Sequence, residues 1–391
     1  MQEELPLRNS IDELAFTPSV SIGEIFARAR TLERNGHDVI HFDAGEPDFG
    51  PPAEVLNATY AALKSGKNRY TEPGGIIEVR KAIAEHLNHR YHINLTSKQI
   101  LITVGGRMAL YLAFRWLPRN STIGLICPYY PAFKEMTHYM SYQSQMFTST
   151  LEESWTPNID EISKHKFSAV ILNSPCNPTG KILGPSILDS IVNIAREKDA
   201  MILSDEVYAD YVFDEGKTPF KSILEVKDCK YLLISSFSKS YAMTGFRTGY
   251  VVGDERTISD LEKINRMILL SPPEFTQYAI IAAIQCKEYI RDKVILIKKR
   301  RDIAAKILSE YLDAEFYVPD GSLYIFPKLE RDEGTFDSEK FALELLENQH
   351  VSITPGTVFG SWYRNFIRLT LLQNEDRITE GIERMAKQLR K

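Results

Sequence analysis

Between about residues 100 and 253 the chain repeats one pattern. A short, nearly unbroken apolar run leads to a turn rich in Gly, Pro, Asn or Asp, and helical sequence often follows. The runs occupy residues 100–104, 121–126, 168–172, 200–204, 231–235 and 250–253. Runs this short and continuous predict strands buried on both faces, as strands are in a parallel sheet covered by helices. The expected fold class is therefore α/β, a mainly parallel sheet between helices over about residues 50–275. Open sheets of this kind bind ligands beyond the carboxyl ends of their strands. The turns at Gly105, Pro128, Asn173 and Asp205 follow such ends, so chemistry is expected there.

The most informative turn runs from Ser235 to Gly249, S-S-F-S-K-S-Y-A-M-T-G-F-R-T-G, between two of the strand-like runs. A lysine held at a sheet edge can lose its proton when desolvation and nearby cations lower its pKa, and can then form a Schiff base with a carbonyl cofactor. Lys239 is in that position, and Ser236, Ser238 and Arg247 offer the hydroxyls and guanidinium fork that a phosphate needs. The strand over 100–104 leads into Gly105, Gly106 and Arg107 at a predicted helix start, where free backbone N–H groups face an anion. Alone, each signal has a plainer explanation. Lys239 would be a surface lysine in a Ser-rich loop, Asp205 a helix N-cap, Asn177 part of an Asn-Pro-Thr-Gly turn, and Arg368 a charge on a half-exposed strand.

Several function classes are excluded. A net charge of -5 gives no reason to expect nucleic acid or an anionic membrane as partner. No apolar run approaches the roughly 20 residues of a membrane span. No G-x-G-x-x-G follows a strand, which argues against a nicotinamide dehydrogenase. Cys127, Cys176, Cys229 and Cys286 are scattered without metal spacing, and the opening Met-Gln-Glu-Glu-Leu-Pro lacks a basic-then-apolar leader, so a cytoplasmic protein is expected. His86, His89 and His92 sit three apart, but no Cys or acidic cluster accompanies them as a metal site.

Order along the chain supplies what the single signals lack. Residues 43–48 read D-A-G-E-P-D, 70–80 Y-T-E-P-G-G-I-I-E-V-R, 127–133 C-P-Y-Y-P-A-F, 173–180 N-S-P-C-N-P-T-G and 205–208 D-E-V-Y. After the lysine stretch come P-D-G-S-L-Y at 319–324, P-G-T-V-F-G at 355–360 and N-F-I-R-L-T at 365–370. From about Val39 to Arg368 this succession resembles the class I/II pyridoxal-phosphate aminotransferases of fold type I, which include aspartate aminotransferase.

The resemblance implies a large domain with a seven-stranded sheet over residues 49–279 and a smaller α+β domain over 280–391, joined by the N-terminal segment 1–48. It implies pyridoxal 5′-phosphate as cofactor, with Lys239 its covalent partner, Asp205 paired with the protonated ring nitrogen, and Asn177 and Tyr208 at the ring oxygen. Tyr130 would stack on the ring, with Tyr129 a competitor. Gly106, Arg107, Ser236, Ser238 and Arg247 would hold the phosphate, and Tyr70 would reach the phosphate of a partner subunit, which makes the chain a homodimer. Glu72 stands where proline is usual in the Tyr70 motif, with proline one place later. Gly45 and Arg368 would receive the substrate carboxylate.

Arg107 has a further candidate role, because some members of the family place a lysine there to meet the distal carboxylate of aspartate. An arginine offers a bidentate fork for the same group. A phosphate contact and a solvated side chain remain the alternatives. The expected activity is transfer of an amino group from an L-amino acid, aspartate favoured, to a 2-oxo acid. Aromatic amino acids, kynurenine or alanine are alternative donors, and a C–S lyase or cyclising synthase is the alternative enzyme on the same scaffold. A cofactor-binding regulator would need a DNA-binding module, which the expectation of a first helix over 11–36 leaves no room for.

Overall fold

The computed structural model describes residues 22–213, 218–312, 314–329 and 336–390. Twelve strands are present among them: β1 (Ile40–His41), β2 (Ile100–Thr103), β3 (Thr122–Cys127), β4 (Gln143–Thr148), β5 (Ala169–Asn173), β6 (Met201–Asp205), β7 (Tyr231–Ser236), β8 (Gly249–Val252), β9 (Tyr324–Ile325), β10 (Val351–Ser352), β11 (Thr354–Pro355) and β12 (Ile367–Thr370). The first seven helices are α1 (Ile22–Arg34), α2 (Ala53–Lys64), α3 (Ile77–Tyr91), α4 (Gly105–Trp116), α5 (Pro131–Tyr139), α6 (Ile159–Lys164) and α7 (Pro185–Glu197). They are followed by α8 (Phe237–Ser240), α9 (Glu255–Leu269), α10 (Glu274–Gln285), α11 (Lys287–Leu312), α12 (Ser338–Gln349) and α13 (Glu375–Leu389).

Seven strands form one sheet in the order β2-β8-β7-β6-β5-β3-β4. β8 runs antiparallel to both neighbours, and the other pairings are parallel. The expected α/β class is what the chain adopts. Two apolar clusters cover the faces of this sheet. One is built around Val79, Ile83, Ile191 and Ile280, the other around Leu112, Phe114, Phe133 and Leu261. A third cluster joins α1, α12, α13 and the short strands β9–β12, and it includes Tyr208 and Tyr211 from the loop after β6.

Three local expectations are corrected. β4 has no counterpart in the apolar pattern because its sequence is Q-S-Q-M-F-T and it lies at the sheet's edge, with Phe147 its one fully buried side chain. A buried-strand signal needs two covered faces, and an edge strand lacks it. Apolar residues at three- and four-residue steps predict one long helix over 277–311, but there are two, because α10 stops at Gln285, with Cys286 (φ −85°, ψ 58°) as its C-cap, and α11 starts at Lys287. Neither Gly nor Pro marks that break. The polar turn around Lys239 is a single helical turn, α8, capped by Ser236, whose Oγ accepts from the Ser238 N–H at 3.1 Å. The start of the first helix, expected at residue 11, lies outside the described residues.

No helix among the described residues is long and apolar enough to cross a membrane. No group of His, Cys, Asp and Glu among them is arranged to hold a metal ion, and His92 serves instead as the left-handed C-cap of α3 (φ 54°).

Candidate active site

A cleft of about 370 Å³ opens at the carboxyl ends of the parallel strands. Gly45, Gly106, Arg107, Tyr130, Asn177, Asp205, Tyr208, Ser236, Ser238, Lys239 and Arg247, residues from distant parts of the sequence, all line it. Sheet register explains much of this convergence. Asn173 at the end of β5 and Asp205 at the end of β6 are paired neighbours, and β7 leads directly into α8 and Lys239.

Lys239 donates a short hydrogen bond from Nζ to the Gly45 carbonyl oxygen. Burial, then the charge of Arg368, push its ammonium down to about 8; Glu46 pulls the other way, and Arg247 and Arg107 add smaller downward effects. The side chain is thus prepared to be a neutral nucleophile near physiological pH. Asp205 is 7% exposed and accepts one hydrogen bond, from the Val207 N–H at 3.2 Å. Burial pushes its carboxyl up to about 7, and the neighbouring Glu206 adds to the rise. Glu206 is also raised to about 7 by burial but is surrounded by donors, namely Ser204 Oγ at 2.9 Å, Ser222 Oγ at 2.7 Å and the Ile223 N–H at 2.9 Å. Of the two adjacent acids, Asp205 is the one facing the cleft without a full set of partners. A cationic ring nitrogen fits there.

The opposite end of the cleft suits a phosphate. Gly105 has φ +78°, and a Cβ on it would lie 2.6 Å from Arg247 Nη2, so glycine alone lets the guanidinium approach the first turn of α4. Arg247 has φ 52°, a left-handed conformation costing a residue with a Cβ about 1–2 kcal/mol. Its Nη1 donates to the Thr244 carbonyl at 2.9 Å. Ser236 Oγ lies 2.9 Å from Ser238 Oγ and 3.0 Å from the carbonyl oxygen of Thr248, the residue after Arg247, and both serines line the cleft with that arginine. Guanidinium, hydroxyls and the N-terminal amides of α4 form the donor set that a phosphate dianion requires.

Arg368 lies behind the cleft and is 4% exposed. Its Nη2 donates to Thr354 Oγ1 at 3.1 Å and, over a short distance, to the Asp43 carbonyl, while Nη1 reaches Asn177 Oδ1 at 3.3 Å. Nε is buried with no partner among the described residues. Each of these acceptors is neutral, and a buried guanidinium without an anion is costly. A carboxylate fits this environment. Arg107, by contrast, is exposed at the cleft mouth, where its Nη2 donates to Tyr130 Oη at 2.7 Å. Tyr130 lines the cleft, whereas Tyr129 lines a separate small cavity. Tyr70 is 82% exposed and is absent from this chain's cleft.

Sequence reasoning missed several residues. Asn173 accepts from the Asn177 N–H at 2.8 Å and donates to the Asp205 carbonyl at 3.2 Å, so it positions both. Its four-residue spacing to Asn177 was the available signal. Asp48 is gripped by Arg300 of α11 with both contacts at 2.8 Å, which anchors the loop carrying Gly45. Tyr324 touches Tyr208, Arg368 and Gly45; the P-D-G-S-L-Y stretch marks a tyrosine there but assigns it no place in the site.

The model for the family aminotransferase class I and II matches residues 37–385. The chain belongs to that family. It is therefore an aminotransferase, and the family uses pyridoxal phosphate as cofactor. Among its relatives is the (5-formylfuran-3-yl)methyl phosphate transaminase of Methanocaldococcus jannaschii, 33% identical over 377 residues, covering 95% of this chain and 97% of the relative. The aspartate aminotransferase of Sulfurisphaera tokodaii is 32% identical over 369 residues, covering 91% and 92%. In structure, the aminotransferase is similar to the aspartate aminotransferase of Thermotoga maritima, with a TM-score of 0.89 at 29% identity over 98% of this chain and all of that one (100%).

Proposed function

We propose that this aminotransferase moves the amino group of L-aspartate to a 2-oxo acid such as 2-oxoglutarate, with Lys239 as the catalytic base. One observation carries this reading: Lys239, lowered by burial and by the Arg368 charge, lines the same cleft as the buried acid Asp205, and Arg368 has no anionic partner among the described residues. In this reading Arg368 and the Gly45 backbone bind the α-carboxylate, which fixes which bond at Cα breaks. Lys239 Nζ, once displaced by the substrate amine, takes the Cα proton. Asp205 would hold the proton of the ring nitrogen, Asn177 and Tyr208 would face the ring oxygen, and Tyr130 would pack against the ring. Gly106, Ser236, Ser238 and Arg247 hold the phosphate. When bound, pyridoxal phosphate supplies the electron sink that stabilises negative charge at Cα.

The preference for aspartate rests on Arg107, whose guanidinium faces the cleft mouth with one nitrogen committed to Tyr130. A distal phosphate would suit the same fork, and the likeness to a transaminase named for a phosphate ester supports a distal anion as the feature selected. We further propose a cytoplasmic homodimer with Tyr70 at the partner's phosphate. Exposed apolar side chains beside Tyr70, among them Leu56, Tyr60, Met267 and Leu270, favour a protein contact there. We also propose a large domain over 49–279 and a small one over 280–391 with segment 1–48; the third apolar cluster supports it for most of the small domain, whereas Ile280, Ala283 and Ile284 pack in the large sheet's cluster.

A single-turnover assay tests the substrate. Cofactor-loaded enzyme is mixed with L-aspartate, L-phenylalanine or L-alanine without any oxo acid, and the 2-oxo acid released is measured. One equivalent of oxaloacetate from aspartate, with little product from the others, is expected. Product from phenylalanine or alanine alone would remove the argument from Arg107. No product from any of them would redirect the search to other donors or to lyase chemistry.

A further inference from the structure

Tyr324 on β9 is 2% exposed and lies where three proposed site residues meet. Its hydroxyl is 3.0 Å from the Tyr208 hydroxyl, with the two rings edge to face at 5.7 Å. The Arg368 guanidinium carbon sits 4.4 Å from the Tyr324 ring centroid. A Cβ at position 45 would come within 2.0 Å of the Tyr324 hydroxyl, so that hydroxyl packs directly on Gly45. Thr370 pairs with Tyr324 and Leu369 with Ile325, so the strand carrying Arg368 and the strand carrying Tyr324 are hydrogen-bonded neighbours.

A phenol carries one hydrogen. If Tyr208 gave its hydrogen to Tyr324, it would have none for the cleft. Burial raises both phenols and Tyr130 raises both further, but at Tyr324 the Arg368 charge works against the rise, while Tyr324 itself and Asp205 push Tyr208 up. A cation over a ring makes its hydroxyl the better donor of a pair. We infer that Tyr324 is a positioning residue that donates to Tyr208, so that the Tyr208 hydrogen points into the cleft, and that its ring seats the Arg368 guanidinium. This rests on the cofactor reading given above. The carboxylate clamp and the donor to the ring oxygen are then joined through one side chain.

The two halves of the role separate by substitution. Tyr324→Phe keeps the ring under Arg368 and removes only the hydroxyl, whereas Tyr324→Leu removes both. The visible absorbance of the pyridoxal-phosphate-loaded protein is titrated against pH, and KM for the amino donor is measured beside it. Tyr324→Phe is expected to move the spectroscopic midpoint upward by about 0.5 unit or more, because a weaker donor at the oxygen favours the more protonated form. KM should change less than about threefold. Tyr324→Leu should add a rise in KM of about tenfold, the scale of one cation–π contact in a desolvated site. In a Tyr208→Phe background, Tyr324→Phe should shift the midpoint no further, since coupled residues are not additive. A midpoint unchanged in Tyr324→Phe, or an equal shift with Tyr208 already removed, would overturn the inference while leaving the cofactor reading intact. A wild-type protein with no Lys239-dependent absorbance would overturn both.

Discussion

Asp205→Asn should make the cofactor-free protein more stable and the enzyme worse. The carboxyl is raised from its ordinary 3.8 to about 7, chiefly by burial. An acid whose folded pKa lies above its unfolded one costs stability as pH rises between the two values, here from about 4 to about 7. At about 1.4 kcal/mol per unit, the cost is about 1.6 kcal/mol at pH 5 and about 4 kcal/mol at pH 8. Asparagine has the same shape, can still accept from the Val207 N–H, and carries no charge. Its advantage should therefore grow by about 2.5 kcal/mol between pH 5 and pH 8. For 391 residues the unfolding entropy is about 0.8 kcal/mol/K, so the gain in Tm should widen by about 3 °C. The assay is thermal unfolding of cofactor-free wild type and variant at both pH values. With pyridoxal phosphate the order should reverse, because the variant loses a charge-assisted hydrogen bond to the ring nitrogen, about 1.5–3 kcal/mol or 10- to 150-fold in affinity. A variant whose stability difference from wild type is the same at pH 5 and pH 8 would refute the reasoning.

Arg368→Ala should lower kcat/KM for the amino donor by about 150-fold or more through KM, the scale of two charged hydrogen bonds; an unchanged KM would remove the carboxylate role. Capture of pyridoxal phosphate by cofactor-free protein should speed up about tenfold per pH unit and level off near pH 8, where Lys239 becomes neutral. Stopped-flow absorbance checks this, and a rate still climbing towards pH 10 would contradict a depressed lysine. Tyr70→Phe should weaken cofactor retention about 10-fold, the loss of one charged hydrogen bond, without altering assembly; light scattering showing a monomer of wild type at micromolar concentration would exclude the partner role.

Most of the cleft was legible because its residues occupy the turns that end buried strands, and those strands announce themselves by continuous apolar sequence. Lys239, Asp205 and Asn177 each follow such a run. The edge strand β4 was hidden, since half of its surface is solvated and its sequence is correspondingly polar. The role of Tyr324 was hidden for a different reason. Residues 319–324 mark a tyrosine there, but its strand is two residues long and its partners Tyr208 and Gly45 are far away in sequence, so what it touches is a tertiary fact. The sequence marks Arg368 as an arginine in a strand, but its burial without an anion emerges only when Asp43, Thr354 and Asn177 close around it.

That closure explains why recruitment and chemistry share one set of charges. Burial and the Arg368 charge disfavour the Lys239 ammonium most, Arg247 and Arg107 add to this against the pull of Glu46, and together they lower it from 10.5 to about 8, or about 3.4 kcal/mol. The same three guanidiniums are the groups proposed to bind carboxylate and phosphate. An anion arriving at Arg368 reduces the positive field at Lys239 and makes Nζ a stronger base at the moment a Cα proton must be removed. Removing Arg368 should therefore do two things at once: weaken donor binding, and move the plateau of cofactor capture above pH 8. A variant that weakened binding but captured cofactor with the wild-type pH profile would show that burial alone sets the lysine, and the two functions of the charge would have to be separated.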